Sequence, residues 1–240
     1  MTRTFAAYNI CQFTSQVLIR LASIQPANAA DLRLPVGIFL LLDKKHSGDA
    51  TAEEIAKRFA ILNIESINFI DLYFLGWTGF TDRFGKGLFF DFMAFANCRA
   101  ALRDVGITRF GGNADLILVD AYFDDQGHAA LDFANAISLD LSRAVAERVF
   151  PTIGGFLQGV IEAAETIQRE QKTGKLASAT CAISDKLGLA FARESLLDFF
   201  LEKLGTVIGA KSLRRLAVRK VGPAVHLDSL SSVKHLHAMF

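Results

Sequence analysis

Carboxylates at the ends of two apolar segments are the residues of this sequence best suited to chemistry. Asp43 directly follows the apolar run 36–42, and Asp120 lies near the end of the run 114–123. Both runs have the length and composition of buried strands. If the two strands are parallel, both carboxylates reach the same edge of a sheet, where open α/β folds bind ligands. The sequence then predicts a Mg²⁺ site for phosphodiester chemistry.

The loops after these runs supply further candidate metal ligands and proton-transfer groups, which are His46, Asp49, Asp124, Asp125 and His128. The candidate metal ligands are therefore Asp43, Asp120 and Asp124, and the candidate catalytic residues are Asp43, His46, Asp120, Asp124 and His128. A structural interpretation competes with this one. Aspartates are expected in turns, and a buried aspartate such as Asp120 can bond a backbone N–H or an arginine. We favour the structural interpretation.

Other motifs for catalysis or phosphate binding are incomplete. The glycine-rich stretch 76–87 contains Lys86 but lacks the Ser or Thr that ends a phosphate-binding loop, so a plain loop is expected there. Gly111 and Gly112 precede a strand, whereas a dinucleotide-binding fingerprint follows one. No Gly-x-Ser-x-Gly is present. A Cys98–His128 pair is disfavoured, because Cys98 lies on the inner face of a predicted helix.

A cluster of basic residues marks the C-terminal part of the chain. The stretch 211–220 contains five basic residues and no acidic one. The basic residues are Lys211, Arg214, Arg215, Arg219 and Lys220. On a helix over about 210–220, three of them would recur every four residues and form a basic stripe. Such a stripe could bind nucleic-acid phosphate or an acidic partner, or it could be an ordinary solvated face.

Three histidines stand near the C-terminus, at His226, His235 and His237. The last two would share one face of a strand and could form a metal pair. Solvated histidines in a tail are the favoured interpretation.

The composition favours a protein that binds other proteins. Of the 240 residues, 51% are hydrophobic, and 21 Phe stand against 3 Tyr and 1 Trp. Phe has no polar group to satisfy, so this excess indicates buried packing or an interface. The three cysteines are widely spaced and fit a reducing cytosol. The net charge of +1 gives the whole molecule no strong attraction to nucleic acid or membranes.

No targeting or membrane segment is expected. The longest purely apolar run, residues 36–42, is far shorter than the ~20 residues of a transmembrane helix. The first residues lack the apolar stretch and cleavage pattern of a signal peptide. We therefore expect a cytoplasmic protein with no membrane partner.

Periodicity and turn residues predict the order of elements. Thr51 and Glu54 form a capping box at the start of a helix, and the turn 124–127 leads into a hairpin partner at 130–136. The predicted helices are 5–23, 52–63, 88–105 and, after residue 138, helices near 141–150, 157–167, 185–204 and 210–220. The predicted strands are 36–42, 67–76 and 114–123.

These elements predict an α/β or α+β fold with a small, mostly parallel sheet and crossover helices, followed by a helical C-terminal half. The domains would be 1–137, a sheet domain with an N-terminal helix, and 138–240, a helical layer or subdomain. No motif identifies a family. In general character, the chain is similar to small accessory proteins of prokaryotic multi-gene defence systems, and no residue role follows from that similarity.

Two functions follow as expectations. The first is a non-catalytic interaction subunit of a larger cytosolic prokaryotic assembly, such as a defence system, which associates with other subunits or itself and could contact nucleic acid. The second is a Mg²⁺-dependent nuclease or phosphoesterase that uses the carboxylates at the strand ends.

Overall fold

The computed structural model describes residues 4–24, 33–65, 70–82, 85–108, 110–150, 152–172, 217–219 and 221–232. The strands are β1 (Thr4–Ala7), β2 (Leu34–Leu41), β3 (Asp71–Leu75), β4 (Trp77–Asp82), β5 (Gly85–Phe90), β6 (Ala114–Phe123), β7 (Ala129–Asp132), β8 (Ile137–Asp140), β9 (Ala217–Arg219) and β10 (Ala224–His226). The helices are α1 (Ile10–Ile24), α2 (Lys44–Ser47), α3 (Thr51–Lys57), α4 (Phe59–Glu65), α5 (Phe92–Asp104), α6 (Leu141–Ala146), α7 (Ile153–Lys172) and α8 (Leu227–Ser231).

Eight strands form one sheet, in which β1, β3, β2, β6, β7 and β10 follow one another, while β8 pairs with β6 and β9 pairs with β8. Among the described pairings of this sheet, β1–β3 and β3–β2 are parallel and the others are antiparallel. The fold is thus a mixed α/β arrangement, and the prediction of a mostly parallel sheet is wrong. The predicted crossover unit exists, because α3 and α4 connect the parallel strands β2 and β3.

Both faces of the sheet are covered, as the continuous apolar sequence of β2 predicts. Along this strand, Val36, Ile38 and Leu40 face a core formed with α1, α5 and α8. Phe39 and Leu41 face a second core formed with α3, α4, α6 and α7. All residues of β2 are buried, so β2 is a central strand with a helical layer on each side.

The C-terminal half is not a helical layer. β8 and β10 pair with β6 and β7, and β9 extends the sheet from β8. The predicted helix over 210–220 is wrong at 217–219, where the chain forms β9, because pairing with β8 overrides the local helical spacing. The helix predicted over 185–204 lies outside the described residues. The domain division at residue 137 stays a prediction, although strands from both sides of it share this sheet.

The N-terminal elements begin differently from the prediction. Thr4–Ala7 form β1, and the helix begins only at Ile10. Asn9 defines that start, since its Oδ1 accepts the backbone N–H of Gln12 at 2.8 Å. The predicted capping box is also absent, because Thr51 donates its hydroxyl to Asp49 Oδ1 at 2.8 Å.

A β-hairpin replaces the predicted glycine-rich loop. β4 and β5 are antiparallel, with Trp77 opposite Phe90 at one end of the hairpin and Asp82 opposite Gly85 at the other. Asp91 then caps α5, because its Oδ1 accepts the backbone N–H of Ala94 at 2.9 Å.

Among the described helices, none combines the length and apolar character needed to cross a membrane.

Candidate functional site

A groove opens at the carboxyl end of β2, between the helices α3 and α4 and the β4–β5 hairpin. Its volume is about 510 Å³. Trp77 ties the hairpin to the end of β2, since its Nε1 donates to the Leu41 carbonyl at 3.0 Å. The groove is lined by Asp43, Glu53, Ala56, Lys57, Phe59, Ala60, Trp77, Leu88, Phe89 and Phe90.

Exposed apolar side chains stand at this groove, on Phe89, and in the residues that follow its β5 wall, at the start of α5. Phe89 is 63% exposed and Met93 is 60% exposed, and Phe92 between them is 45% exposed. His46 stacks on Phe92 with ring centroids 4.7 Å apart and nearly parallel planes. We call Phe89, Phe92 and Met93 the groove rim. Large apolar side chains this exposed beside a concave surface are typical of a binding site.

Two of the candidate catalytic residues, Asp43 and His46, lie together at this end of the sheet. Asp43 Oδ1 accepts the backbone N–H of His46 at 3.2 Å and also contacts the His46 ring at Nδ1. The contact caps the short helix α2, as expected for an aspartate in a turn. Asp49 also acts locally, because its Oδ1 accepts the Thr51 backbone N–H.

The other candidate metal ligands lie elsewhere. β2 and β6 are antiparallel, and Asp120 pairs with Pro35 at the start of β2, whereas Asp43 follows the end of β2. From Pro35 to Leu41 a strand rises by roughly 20 Å, at about 3.3 Å per residue. Asp43 and Asp120 therefore do not form the shared site that parallel strands would have given.

Asp120 belongs to a buried ionic cluster. Its side chain is 1% exposed, and Arg33 Nη1 lies 3.5 Å from its Oδ2. The same Arg33 nitrogen lies 2.8 Å from Asp132 Oδ2. Burial raises the pKa of Asp120 to about 6, although Arg33 opposes the shift. These contacts agree with the structural interpretation of Asp120 and give it an arginine partner.

A second buried carboxylate, Asp115, was missed by sequence reasoning. It faces Asp140 across the β6–β8 pairing and accepts backbone N–H groups from Gly111 and Gly112. Burial, followed by the nearby Asp140 carboxylate, raises its pKa to about 6. At Gly112 a Cβ would lie 2.9 Å from the Asp140 carboxyl group, so a side chain there would force that carboxyl group to shift. The signal in the sequence was an aspartate three residues after a glycine pair.

Asp124 and His128 lie at the opposite end of the sheet from the groove, in the β6–β7 turn, and His226 joins them from β10. His226 Nε2 lies 3.1 Å from Asp124 Oδ2, and His128 Nδ1 lies 3.5 Å from the same oxygen. One ligand atom from each residue falls within 4.8 Å of the others, so the three side chains could hold one metal ion. Asp125 is an exposed turn residue.

Hydrogen bonds fix the Asp124 carboxylate in this cluster. Its Oδ1 accepts the backbone N–H of His128 at 2.8 Å and that of Gln126 at 2.9 Å. The bond from His128 is the main reason why the pKa of Asp124 is lowered. Sequence reasoning singled out Asp124 and His128 but did not connect His226 with them, because β10 reaches this place only through long-range pairing with β7.

The remaining candidates are only partly described. Cys98 is buried, and burial raises the pKa of its thiol to about 12, which leaves it protonated at neutral pH. Of the predicted basic stripe, Arg219 is the one member in a described element, and it lies in the strand β9. Outside the described residues lie Lys211, Arg214, Arg215, Lys220, His235 and His237.

No family model, curated protein or solved structure matches this chain.

Proposed function

We propose that the protein is a non-catalytic interaction subunit that binds a segment of a partner protein in the groove beside β2. The observation that carries this proposal is the groove rim, in which Phe89 and Met93 are each at least 60% exposed. Burial of apolar surface contributes about 25 cal/mol per Å². A partner that covers these side chains therefore makes the free energy of binding more favourable.

The lining of the groove indicates what kind of segment would fit. Its walls are mostly apolar or aromatic, with Trp77 and Phe90 in contact at a centroid distance of 5.1 Å. Among the described residues that line it, the charged ones are Asp43, Glu53 and Lys57, so acidic groups outnumber basic ones there. The matching segment has an apolar or aromatic anchor with a lysine or arginine beside it, because the anchor fills the groove and the base meets the carboxylates.

Three further expectations rest on the sequence alone and stay predictions. They are membership of a cytosolic prokaryotic assembly, a role in defence, and a nucleic-acid contact through the basic stripe. The alternative function, a Mg²⁺-dependent phosphoesterase, required Asp43 and Asp120 at one edge of the sheet. Their positions at opposite ends of β2 give that alternative no support.

Affinity purification with matched variants tests the proposal. The groove variant is Phe89→Ser with Met93→Ser. The control variant is Leu18→Ser with Ile19→Ser, which changes two side chains on α1 that are 43% and 66% exposed. Each tagged protein is expressed in cells of the source organism, and the proteins that co-purify in comparable molar amounts are identified.

We expect the same partner to co-purify with the wild type and the control variant, and to be lost from the groove variant. Light scattering on the purified wild type shows whether this partner is a second copy of the chain. Equal recovery of partners by all three proteins, or loss from the control variant only, would contradict a role for the groove.

A further inference from the structure

We propose that Asp124, His128 and His226 form a binding site for a divalent transition-metal ion of the Zn²⁺ type. This site lies at the end of the sheet away from the groove and is independent of the proposed function. It unites two parts of the chain that are almost a hundred residues apart in sequence, the β6–β7 turn and the strand β10.

The spacing of the ligand atoms fits a metal ion. With metal–ligand distances of about 2.0–2.2 Å, the ligand atoms of a tetrahedral site lie roughly 3.3 Å apart. Asp124 Oδ2 lies 3.1 Å from His226 Nε2 and 3.5 Å from His128 Nδ1. The two histidines also come within 4.8 Å of each other through one ring nitrogen each. Because both imidazoles are exposed, they can rotate to complete the geometry.

The carboxylate is oriented before any ion binds. Both backbone N–H groups that donate to Asp124 bond its Oδ1, so Oδ2 is the oxygen that faces the imidazoles. Hydrogen bonds of this kind to a ligand's second atom are typical of metal sites, where they fix the orientation of the ligand. A surface aspartate without them would sample many rotamers.

The donor set decides the class of metal. Two imidazole nitrogens and one carboxylate oxygen suit Zn²⁺, Ni²⁺ or Co²⁺, whereas Mg²⁺ prefers oxygen ligands. Three protein ligands leave one tetrahedral position for water or for a ligand from another molecule. The histidine side chains are 51% exposed, so the open position is accessible from solvent.

A bound ion would also link β10 to the rest of the sheet. β10 has three residues and pairs with β7, with His226 opposite Ala130. The ion would therefore join this short strand to the turn between β6 and β7. Metal binding should consequently slow amide exchange in β10.

The test is isothermal titration calorimetry on the full chain with ZnCl₂ and, separately, MgCl₂. The background protein carries His235→Ala and His237→Ala, so that the C-terminal histidines do not contribute. His128→Ala and His226→Ala are each added to this background. His46→Ala is the matched control, because His46 also contacts an aspartate but has no third ligand within the described residues. Circular dichroism checks that each variant is folded.

We expect the background protein and the His46→Ala control to bind one equivalent of Zn²⁺ with equal affinity. Each of the other two variants should bind at least about tenfold more weakly, since even the loss of a residue that only orients a ligand costs about 10–100-fold. Mg²⁺ should give no saturable binding. Co²⁺ should give a visible spectrum without a thiolate charge-transfer band, which rules out binding through any of the three cysteines.

Three results would overturn the proposal. One is the absence of saturable Zn²⁺ binding by the background protein, which would mean that the three side chains form ion pairs only. Another is undiminished affinity in His226→Ala. The third is a loss of affinity in His46→Ala that equals the loss in His128→Ala.

Discussion

Asp43 and Asp120 lie beside opposite ends of β2. Asp120, in β6, is opposite Pro35 at the start of β2, and Asp43 follows the end of β2, one residue beyond Leu42. This arrangement gives the two carboxylates separate surroundings. Asp43 lines an open groove with an apolar rim, whereas Asp120 is buried beside Arg33.

Arg33 is expected to be essential for stability because it neutralises buried carboxylates. Arg33→Met leaves Asp120 and Asp132 without their shared cation. Removing one partner of a buried ion pair typically costs about 3–5 kcal/mol, and we expect a loss of this size in the free energy of unfolding at pH 7.5. The pKa of Asp120 is raised to about 6, so at pH 5 its carboxyl is protonated and the loss should be smaller.

Urea unfolding at pH 7.5 and pH 5 measures both values. The control is Arg143→Met, which removes an exposed ion pair with Glu147 and should leave the stability close to that of the wild type. A loss for Arg33→Met that is equally large at both pH values would show that the packing of its side chain, and not its charge, is what matters.

Asp115 is expected to destabilise the protein at neutral pH. Its pKa is raised to about 6, so the folded protein holds the proton more tightly than the unfolded chain does. This contribution to stability is complete below about pH 4 and is lost as the pH rises through about 6. In Asp115→Asn, the neutral amide can accept the same backbone N–H groups and places no charge beside Asp140.

We therefore expect Asp115→Asn to increase the free energy of unfolding by roughly 1–3 kcal/mol at pH 7.5, since one pKa unit corresponds to about 1.4 kcal/mol. At pH 4 the variant should match the wild type. Asp125→Asn, in an exposed turn, is the control and should change little at either pH. Denaturant unfolding across this pH range is the measurement, and an Asp115→Asn variant that is less stable at pH 7.5 would contradict it.

The sequence predicted those parts of the fold that local patterns determine. The apolar runs correspond to the strands β2 and β6, and Asp124 to Gly127 form the expected turn. Strand direction was not predictable in the same way, because an apolar run looks alike in a parallel and an antiparallel pair. The antiparallel pairing of β2 with β6 is what separated Asp43 from Asp120.

Long-range pairing also explains the other differences. The three residues of β9 carry part of a helical charge pattern, but they pair with β8. β10 is equally short, and its pairing with β7 brings His226 to Asp124. No local feature of the sequence around His226 indicates this contact. Sites built from distant segments therefore depend on a topology that periodicity alone does not give.

Gly76 is expected to tolerate no side chain. It joins β3 to β4 with a φ of +77°, and a Cβ there would lie 2.4 Å from Phe95 Cα. Backbone strain and overpacking each cost about 1–3 kcal/mol, so Gly76→Ala should lose roughly 2–6 kcal/mol. Gly48 is the matched control, because its φ is +73° and a Cβ at that position would have nothing within 4 Å.

Gly48→Ala should lose only the cost of the left-handed backbone, about 1–2 kcal/mol. Thermal and urea unfolding of both variants provide the comparison. Equal losses in the two variants would mean that the close contact between Gly76 and α5 contributes nothing beyond the backbone conformation.

Amide hydrogen exchange of the chain, alone and in complex with its co-purified partner, tests the binding role of the groove most directly. The account predicts that the partner slows exchange in residues 53–60 and 88–93, which line the groove and carry its rim, while α1 exchanges as in the free protein. Slower exchange along α1 or at the β7–β10 edge, with 53–60 and 88–93 unchanged, would contradict it.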